Sequence, residues 1–400
     1  MTQYLKDLPL PPGIRSRFVN NDNGLTMHVL EAGYETPDRP CVLLLHGFPE
    51  LAYSWRKVML PLAAAGYHVL APDQRGYGRT TGFSDGEDEH LDEFRILNLV
   101  EDSLGLLRAT GHRSVEAVIG HDFGSPVAAW CALTRPDVFR AVVLMSAPFG
   151  GVPPSPAGAT TLSGSNQAKT KATSGLAKVL QDLSQLEPSR KHYQWYYSTP
   201  EANTDMTSAK QGLHAFLRAY YHVKSADWPK NKPYPLASFT AAELGKLPTY
   251  YVMRKNQTMA ETVAEEMPSA GQIAGCKWLP DEELAIYVQE FSRTSFQGGL
   301  QWYRCGATPR FLAELQAWAG RTIDVPACFI SGSSDWGPYQ RPGDFEAMQK
   351  VACTNLSAVH LIEGAGHWVQ QEQPDAVVHH VLAFLRKISV STARTAVLSR

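Results

Sequence analysis

Three residues that are distant in the chain have the types and the order that nucleophilic catalysis requires. Asp122 stands at the centre of the segment GHDFG, which has the outline of the G-x-S-x-G turn between a strand and a helix. Asp335 lies in GSSDWG and His367 in GAGHWVQQEQP, so the order is nucleophile, acid, histidine. Alone, GHDFG is as typical of a helix with an aspartate N-cap. The two partners in order favour a triad in which Asp335 orients His367.

An aspartate in the place of a serine restricts the chemistry of such a turn. A carboxylate can displace oxygen at an sp³ carbon and form an ester. The ester has a carbonyl group, so water activated by His367 can hydrolyse it, whereas a serine ether would have no route to turnover. The segment HGFP at residues 46–49 follows the apolar run CVLLL. A backbone N–H there would join the one after Asp122 in an oxyanion hole.

Short apolar runs alternate with helix-like segments on both sides of these residues. The strand-like runs are CVLLLHGF, YHVLAPDQ, SVEAVIGHD, RAVVLMSAP, VPACFISG and SAVHLIEGAGH. The helix-like segments include SWRKVMLPLAAAG, FRILNLVEDSLGLLRATG, SPVAAWCALTRP and PDAVVHHVLAFLRK. This alternation predicts an α/β fold with a mostly parallel sheet and helices on both faces, after a hairpin that turns at Asn23-Gly24. The candidate catalytic residues then lie in loops at strand ends.

The alternation is interrupted in the middle of the chain. We therefore expect a core in two parts, residues 1–150 and 308–400, with residues 151–307 inserted between them. The insertion begins with the loop-like GVPPSPAGATTLSGSNQAKTKATSG and continues with aromatic, helix-like segments such as HYQWYYSTP. It is predicted to be a mainly helical lid over the strand ends, where such folds bind ligands. The alternative is a helical subdomain that only packs.

Composition and charge exclude several classes of partner. The 400 residues are 44% hydrophobic and carry a formal net charge of -2, which gives no electrostatic reason to expect nucleic acid. No run approaches the ~20 apolar residues of a membrane span, and the opening segment lacks the apolar core of a signal peptide. Six cysteines without CxxC pairs predict buried free thiols in a reducing compartment. We expect a cytoplasmic protein, monomeric or homodimeric.

The motifs HGFPE, DQRGYG, GHDFGS, GSSDW and GAGHWVQQEQP together resemble those of the soluble epoxide hydrolases of the α/β-hydrolase superfamily. The resemblance runs through both halves of the core and is specific as a set. It implies an α/β-hydrolase core with a cap domain. It also implies that Asp122 is the nucleophile, His367 the general base and Asp335 its orienting acid. Phe48 and Phe123 would supply the oxyanion-hole amides.

The same resemblance implies two cap tyrosines that hold the epoxide oxygen. Tyr303 in QWYR matches the second, although Gln301 replaces the asparagine that is usual there. Tyr193 in HYQWYYSTPEA matches the first, with Tyr196 and Tyr197 as rivals. Both hydroxyls are expected to face Asp122. The substrate would be a small apolar epoxide that reacts with water, without a cofactor or a metal ion.

Further residues near these motifs are candidates for substrate contacts, and they also carry the alternative functions. The substrate-contact candidates are His46, Pro49, Trp302, Trp336 and Trp368. Haloalkane and haloacetate dehalogenases use the same aspartyl ester but stabilise a halide with N–H or cationic groups. Phe123 offers neither, whereas the indoles of Trp195, Trp302, Trp336 or Trp368 could reach a halide. A third reading is a non-catalytic ligand-binding protein on this fold.

Other polar residues are predicted to be structural. Asp73 and Arg75 in DQRGYGRT resemble a loop that supports the fold, and the following Gly-Tyr-Gly indicates a turn. His121, His379 and His380 fit no metal-binding spacing and are expected only to pack or to lie at the surface.

Overall fold

The computed structural model describes residues 5–86, 90–154 and 167–398. For residues 167–175 and 391–398 it describes the backbone only. Its strands are β1 Ile14–Asn20, β2 Thr26–Ala32, β3 Cys41–Leu45, β4 His68–Pro72, β5 Ala117–His121, β6 Val142–Met145, β7 Arg190–His192, β8 Val252–Arg254, β9 Ala327–Gly332 and β10 Leu356–Ile362.

In the described residues, helices follow the strands from β3 onward. They are α1 Arg56–Ala64, α2 Ile96–Ala109, α3 Gly124–Thr134, α4 Gln167–Ser184, α5 Tyr193–Tyr197, α6 Glu201–Thr207, α7 Leu213–Lys224, α8 Ala241–Leu244, α9 Met259–Ala264, α10 Ala270–Gly275, α11 Asp281–Thr294, α12 Gln297–Ala307, α13 Pro309–Gln316, α14 Asp344–Ala347, α15 Val369–Glu372 and α16 Pro374–Leu398.

In the described residues, eight strands form one sheet in the order β1-β2-β4-β3-β5-β6-β9-β10. β1 pairs with β2 in an antiparallel hairpin that joins Asn20 to Thr26, which confirms the predicted turn between them. β2 pairs antiparallel with β4, and the remaining neighbours are parallel. The mostly parallel sheet that the alternating pattern predicted is therefore confirmed.

Alternate side chains of the central strands enter two separate cores. On β3, Leu43 and Leu45 belong to the core that includes α2 and α3, whereas Val42 and Leu44 belong to the core that includes α1 and α16. This is the period of two expected for a strand covered on both faces. Burial on both faces explains why these strands are continuous apolar runs in the sequence.

The residues between β6 and β9 are mainly helical, with β7 and β8 paired in a small antiparallel ribbon. The prediction of a loop-like start to this region is wrong for residues 167–175, because α4 already begins at Gln167. From that point the sequence is rich in Ala, Lys, Gln and Leu, which favour helix despite the nearby Ser and Thr. Residues 155–166 of the predicted loop lie outside the described residues.

The six cysteines are free thiols, as predicted. Five are buried, and Cys276 is partly exposed rather than buried. Across the ranges described above, no helix combines the length and the apolar character needed to cross a membrane.

Candidate active site

Asp122 occupies a tight turn between β5 and α3. Its φ is +50°, in the left-handed region, which costs a non-glycine residue about 1–3 kcal/mol and is typical of functional turns. A Cβ on Gly120 would lie 2.0 Å from the carbonyl oxygen of Gly124, and one on Gly124 would lie 2.2 Å from that of Leu45. The two glycines of GHDFG are therefore required, because β5, the turn and the neighbouring strand approach too closely for side chains.

The imidazole of His367 lies between two carboxylates. Its Nε2 is 3.2 Å from Asp122 Oδ2, off the line of a hydrogen bond, and its Nδ1 is 3.1 Å from Asp335 Oδ1. Asp335 also accepts from the Ser331 hydroxyl at 3.0 Å and from the Gly337 N–H at 2.8 Å. A carboxylate that accepts at Nδ1 places a ring proton on that nitrogen and so fixes the orientation of the imidazole.

Both carboxylates of this group are buried and ionised. Burial raises the pKa of Asp122, but the neighbouring His367 and the charges of Lys224 and His121 bring it below its usual range. Burial also raises the pKa of Asp335, and His367 with the surrounding hydrogen-bond donors brings it below its usual value. Asp122 is 8% exposed, so its carboxylate is almost fully enclosed by the protein.

One carboxylate oxygen of Asp122 is held by the backbone of the HGFP segment. The Phe48 N–H donates to Oδ1 at 2.9 Å. A Cβ on Gly47 would lie 2.4 Å from the Asp122 Cβ, so this segment passes directly against the candidate nucleophile. Phe123 precedes α3, and its ring packs edge-on against Tyr303 with centroids 5.1 Å apart.

Tyr303 and Tyr193 lie above the same group. Their ring centroids are 6.0 Å apart, and burial together with the charge of Asp122 raises the pKa of both phenols. The hydroxyl of Tyr193 donates to Gln340 Oε1 at 3.0 Å and accepts from Gln194 Nε2 at 3.2 Å. The Tyr193 proton is therefore directed to Gln340, because a buried O–H takes the acceptor within its reach. That both hydroxyls face Asp122 stays a prediction.

The two rival tyrosines have partners away from the candidate nucleophile. Tyr196 donates to Asp205 at 2.8 Å, and Tyr197 donates to the Tyr220 hydroxyl at 3.2 Å. The main causes of their raised pKa are burial and these partners. The charge of Asp122 raises the pKa of Tyr193 and is not a main cause for either rival, which favours Tyr193, although the ring centroid of Tyr197 lies closer to that of Tyr303, at 5.1 Å.

The ring nitrogens of His46 and the carbonyl oxygen of Pro49 form hydrogen bonds within the protein. The His46 Nδ1 donates to its neighbour's carbonyl, Gly47 O, at 2.9 Å, and Nε2 accepts from the Gln74 N–H at 3.1 Å. Burial lowers the pKa of His46, consistent with a neutral ring. Pro49 O accepts from the Tyr221 hydroxyl at 2.8 Å. Both ring nitrogens of His46 bind backbone, so neither is free to hydrogen-bond a substrate, and a substrate contact by the ring stays a prediction.

The indoles predicted to bind a substrate or a halide differ in whether their N–H group has a hydrogen-bond partner. Trp302 Nε1–H donates to Arg75 O at 3.0 Å, and Trp368 Nε1–H donates to Tyr221 O at 2.8 Å. These two N–H groups are therefore unavailable to a ligand, a correction to their predicted role. Trp336 Nε1 is buried and has no hydrogen-bond partner within the described part of the chain.

Sequence reasoning missed a buried ion pair behind His367. His121 Nδ1 lies 2.6 Å from Glu50 Oε2, and Nε2 lies 2.7 Å from the carbonyl oxygen of His367. Both partners only accept, so both ring nitrogens must donate and the imidazole is cationic. Burial lowers the pKa of His121, but Glu50 raises it above the usual value. Glu50 Oε1 also accepts from the amides of Gln370 and Gln371.

A second cation near the site was also missed. Lys224 is 3% exposed, and its Nζ lies 5.3 Å from the ring centroids of Tyr220 and Tyr251 and 5.5 Å from Trp368. Such cation–π contacts stabilise a buried ammonium. Its charge helps to lower the pKa of Asp122. A lysine near the end of a helix gives no signal in a single sequence.

A cavity of about 400 Å³ opens beside Phe123 and Tyr303. Much of its wall is apolar, and the polar side chains of His192, Gln194 and Ser198 lie along one part. Burial lowers the pKa of His192 to about 3, so its ring is neutral. The apolar wall includes Leu176, Leu180, Trp195, Phe239 and Leu312.

The residues predicted to be structural have structural contacts. Asp73 accepts from the backbone N–H groups of Ala52 and Arg79, both at 2.9 Å. Arg75 forms an ion pair with Asp102 at 2.8 Å. His379 is exposed on α16. The neighbouring His380 stacks on the imidazole of His360.

Comparison with known proteins agrees with this geometry. Residues 40–374 match the family described as alpha/beta hydrolase fold. Epoxide hydrolase A of Mycobacterium tuberculosis is 33% identical over 373 residues, which cover 91% of this chain and 95% of that protein. Epoxide hydrolase 3 of Siraitia grosvenorii is 31% identical, with 92% of this chain and 97% of that protein covered.

Solved structures give the same result. An epoxide hydrolase from an endophytic Streptomyces superposes with a TM-score of 0.73 at 30% identity, covering 95% of this chain and 97% of that one. A mutant of potato epoxide hydrolase superposes with a TM-score of 0.68 at 29% identity, covering 94% and 99%. The chain therefore belongs to the epoxide hydrolases of the alpha/beta-hydrolase fold family.

Proposed function

We propose that this enzyme hydrolyses an epoxide to a vicinal diol through an ester on Asp122. The observation that carries the proposal is the placement of the Asp122 carboxylate. One oxygen accepts a backbone N–H, and the other lies 3.2 Å from an imidazole that Asp335 orients. A carboxylate so held is an ionised nucleophile with a base beside it for the second step.

In the first step, Oδ2 of Asp122 attacks a carbon of the epoxide and the C–O bond of the ring breaks. The oxygen that leaves develops negative charge and is strongly basic, so it profits from donors that can also deliver a proton. Tyr303 and Tyr193 supply those donors. For Tyr193 this requires exchanging the hydrogen bond to Gln340 for one to the epoxide oxygen.

In the second step, His367 Nε2 takes a proton from water, and the resulting hydroxide attacks the carbonyl carbon of the ester. Oδ1 then carries the negative charge of the tetrahedral intermediate. Phe48 N–H already donates to Oδ1, and the Phe123 N–H is proposed as the second donor. Collapse of the intermediate breaks the bond between its central carbon and Oδ2, so Oδ2 leaves with the diol and takes up the proton of the attacking hydroxide. Asp122 is returned as a carboxylate that contains the oxygen of the water, and the imidazolium proton restores the phenol that protonated the epoxide oxygen. No cofactor or metal ion enters this scheme.

We further propose that residues 151–307 form the cap over a core made of residues 1–150 and 308–400. The apolar wall of the cavity favours an apolar arm on the substrate. The cytoplasmic location and the choice between monomer and homodimer remain predictions from the sequence.

Dehalogenation uses the same nucleophile and is the competing function. A halide leaving group needs N–H dipoles or a cation rather than a proton donor. Two of the four candidate indoles are engaged with backbone carbonyls, and the residue after the nucleophile is a phenylalanine. These contacts favour the epoxide.

The experiment that tests the proposal is the replacement His367→Gln. The variant should still open styrene oxide but stop at the ester, so a covalent adduct on Asp122 should accumulate and be detected by intact mass and peptide mapping. His379→Gln, on the exposed face of α16, is the matched control and should turn over like the wild type. Normal turnover by His367→Gln would show that the base is misassigned.

A further inference from the structure

The loop that carries His367 is bound to the end of α7, a helix of the region between β6 and β9. The His367 N–H donates to Lys224 O at 2.8 Å. The indole of Trp368 donates to Tyr221 O at 2.8 Å. A Cβ on Gly366 would lie 2.5 Å from Lys224 O, so the loop and the helix end touch backbone to backbone. This contact between the His367 loop and the end of α7 is called the seam below.

One carboxylate joins the two sides of the seam. Glu372 Oε2 accepts from the Ala226 N–H at 2.8 Å and from the Gly366 N–H at 2.9 Å, while Oε1 accepts from the Trp368 N–H at 3.0 Å. The last two amides immediately flank His367. Ala226 follows α7 by two residues, on the other side of the seam. Charge-assisted bonds of this kind are roughly twice as strong as neutral ones.

We infer that Glu372 is a positioning residue for the general base. It links the position of the end of α7 to the orientation of the His367 imidazole. This inference rests on the proposed function. Glu372 itself lies behind the loop and binds backbone amides, so it acts only through His367. Its loss should slow the step that needs His367, which is hydrolysis of the ester. It should leave the attack of Asp122 on the epoxide intact.

The test measures the two steps separately in single turnovers of styrene oxide, with the ester quantified by intact mass after rapid quenching. Burial raises the pKa of Glu372 to about 8, although the three N–H groups oppose this rise. The assay is therefore run at about pH 9, where the carboxylate predominates. The variants are Glu372→Gln, which keeps the size but loses the charge, and Glu372→Asp, which keeps the charge on a shorter side chain. Glu363→Gln, an exposed position before the same loop, is the control.

We expect Glu372→Gln to slow decay of the ester on the order of 10-fold while its formation changes by less than about 2-fold, because a small displacement of a catalytic group is costly. Glu372→Asp should show a smaller loss in the same step, and Glu363→Gln should show none. A purely structural role would reduce both steps together, in proportion to the folded fraction. That result, or unchanged decay in Glu372→Gln, would overturn the inference. If Glu372→Gln does not fold, the same comparison with Glu372→Asp decides.

Failure of the positioning role of Glu372 is distinguishable from failure of the proposed function. If His367→Gln accumulates the ester and the Glu372 variants do not, only the positioning role is wrong. If no ester forms in His367→Gln either, the covalent mechanism itself is wrong.

Discussion

At position 122 the two carboxylate oxygens have different neighbours, and this difference divides their roles. Oδ1 accepts the Phe48 N–H, so it is the oxygen that can become a stabilised oxyanion. Oδ2 lies on the side of His367, and in the proposed mechanism it forms the new bond. A serine at this position would have a single oxygen and could not separate the two tasks.

The phenol of Tyr303 provides the first prediction at the residue scale. Tyr303→Phe should lower the rate of epoxide opening on the order of 10²-fold, by analogy with the loss of one oxyanion-hole donor. The rate of ester formation from a matched haloalkane should fall much less, because a weakly basic halide does not need a proton. The rates of ester formation from both substrates are the measurement.

Tyr34→Phe, remote from the candidate site, is the control for the loss of a hydroxyl. An unchanged epoxide rate in Tyr303→Phe, together with haloalkane turnover as the main activity, would replace the epoxide assignment with dehalogenation.

The positions of Asp122, Asp335 and His367 could be predicted because each follows an apolar run that identifies a strand end, whereas Tyr193 and Tyr303 came only from the family resemblance. Their supporting residues could not. Gln340 meets Tyr193 across 147 positions of sequence, and Glu50 meets His121 across 71. Such pairs depend on which strand ends are neighbours, and a single sequence does not show this. The indole of Trp302 was misassigned for the same reason, since its acceptor is a distant backbone carbonyl.

At the scale of elements, the turn between β5 and α3 is the most constrained part of the fold. Gly120→Ala would place a Cβ 2.0 Å from the Gly124 carbonyl oxygen. We expect a loss of stability of about 1–3 kcal/mol from this overpacking, together with loss of activity as Asp122 shifts. Urea unfolding and the rate of ester formation measure the two effects.

Gly271 provides a matched comparison, because a Cβ there meets nothing within 4 Å and the residue lies in α10. Gly271→Ala should be neutral or slightly stabilising, since alanine favours helix. Wild-type stability and activity in Gly120→Ala would contradict the geometry of the turn.

The elements themselves were largely predictable where the sequence has a clear apolar run, as in β3 and β5, or a clear helical period, as in α2. The start of α4 was not, because Gly, Ser and Thr next to it are typical of loops. The bounds of the inserted region stay a prediction, since only a change in amino-acid composition indicates them.

At the scale of the whole molecule, the Glu50–His121 pair joins three distant segments of the chain. It links the loop after β3, the end of β5, the loop that contains His367 and the following helix α15, which contains Gln370. Neither side chain is exposed. Removal of one partner from a buried ion pair leaves an uncompensated charge, so the pair should matter for global stability.

Glu50→Gln should lower the free energy of unfolding on the order of 3 kcal/mol. Burial raises the pKa of Glu50, but His121 brings it below the usual 4.5, so this contribution is present above that value and is lost as the pH falls through the folded pKa. The pKa of His121 lies above 6.5, so its contribution is present below that value and is lost as the pH rises through the folded pKa. The difference from wild type should therefore be largest between about pH 4.5 and 6.5.

Urea unfolding at a series of pH values measures this difference. Glu116→Gln, which removes an exposed pair with Arg140, is the control and should change stability by less than about 1 kcal/mol. A Glu50→Gln effect that is small or independent of pH would show that the pair is not the buried ion pair described here.

The central claim, a covalent ester on Asp122 that water cleaves at the carbonyl carbon, is tested most directly by one labelling experiment. Enzyme in excess over styrene oxide completes a single turnover in oxygen-18 water, and both products are analysed by mass spectrometry. The account predicts an unlabelled diol and one oxygen-18 atom in the Asp122 peptide, because the diol takes its new oxygen from the carboxylate. Label in the diol of the first turnover with none on Asp122 would show direct attack by water and contradict the account.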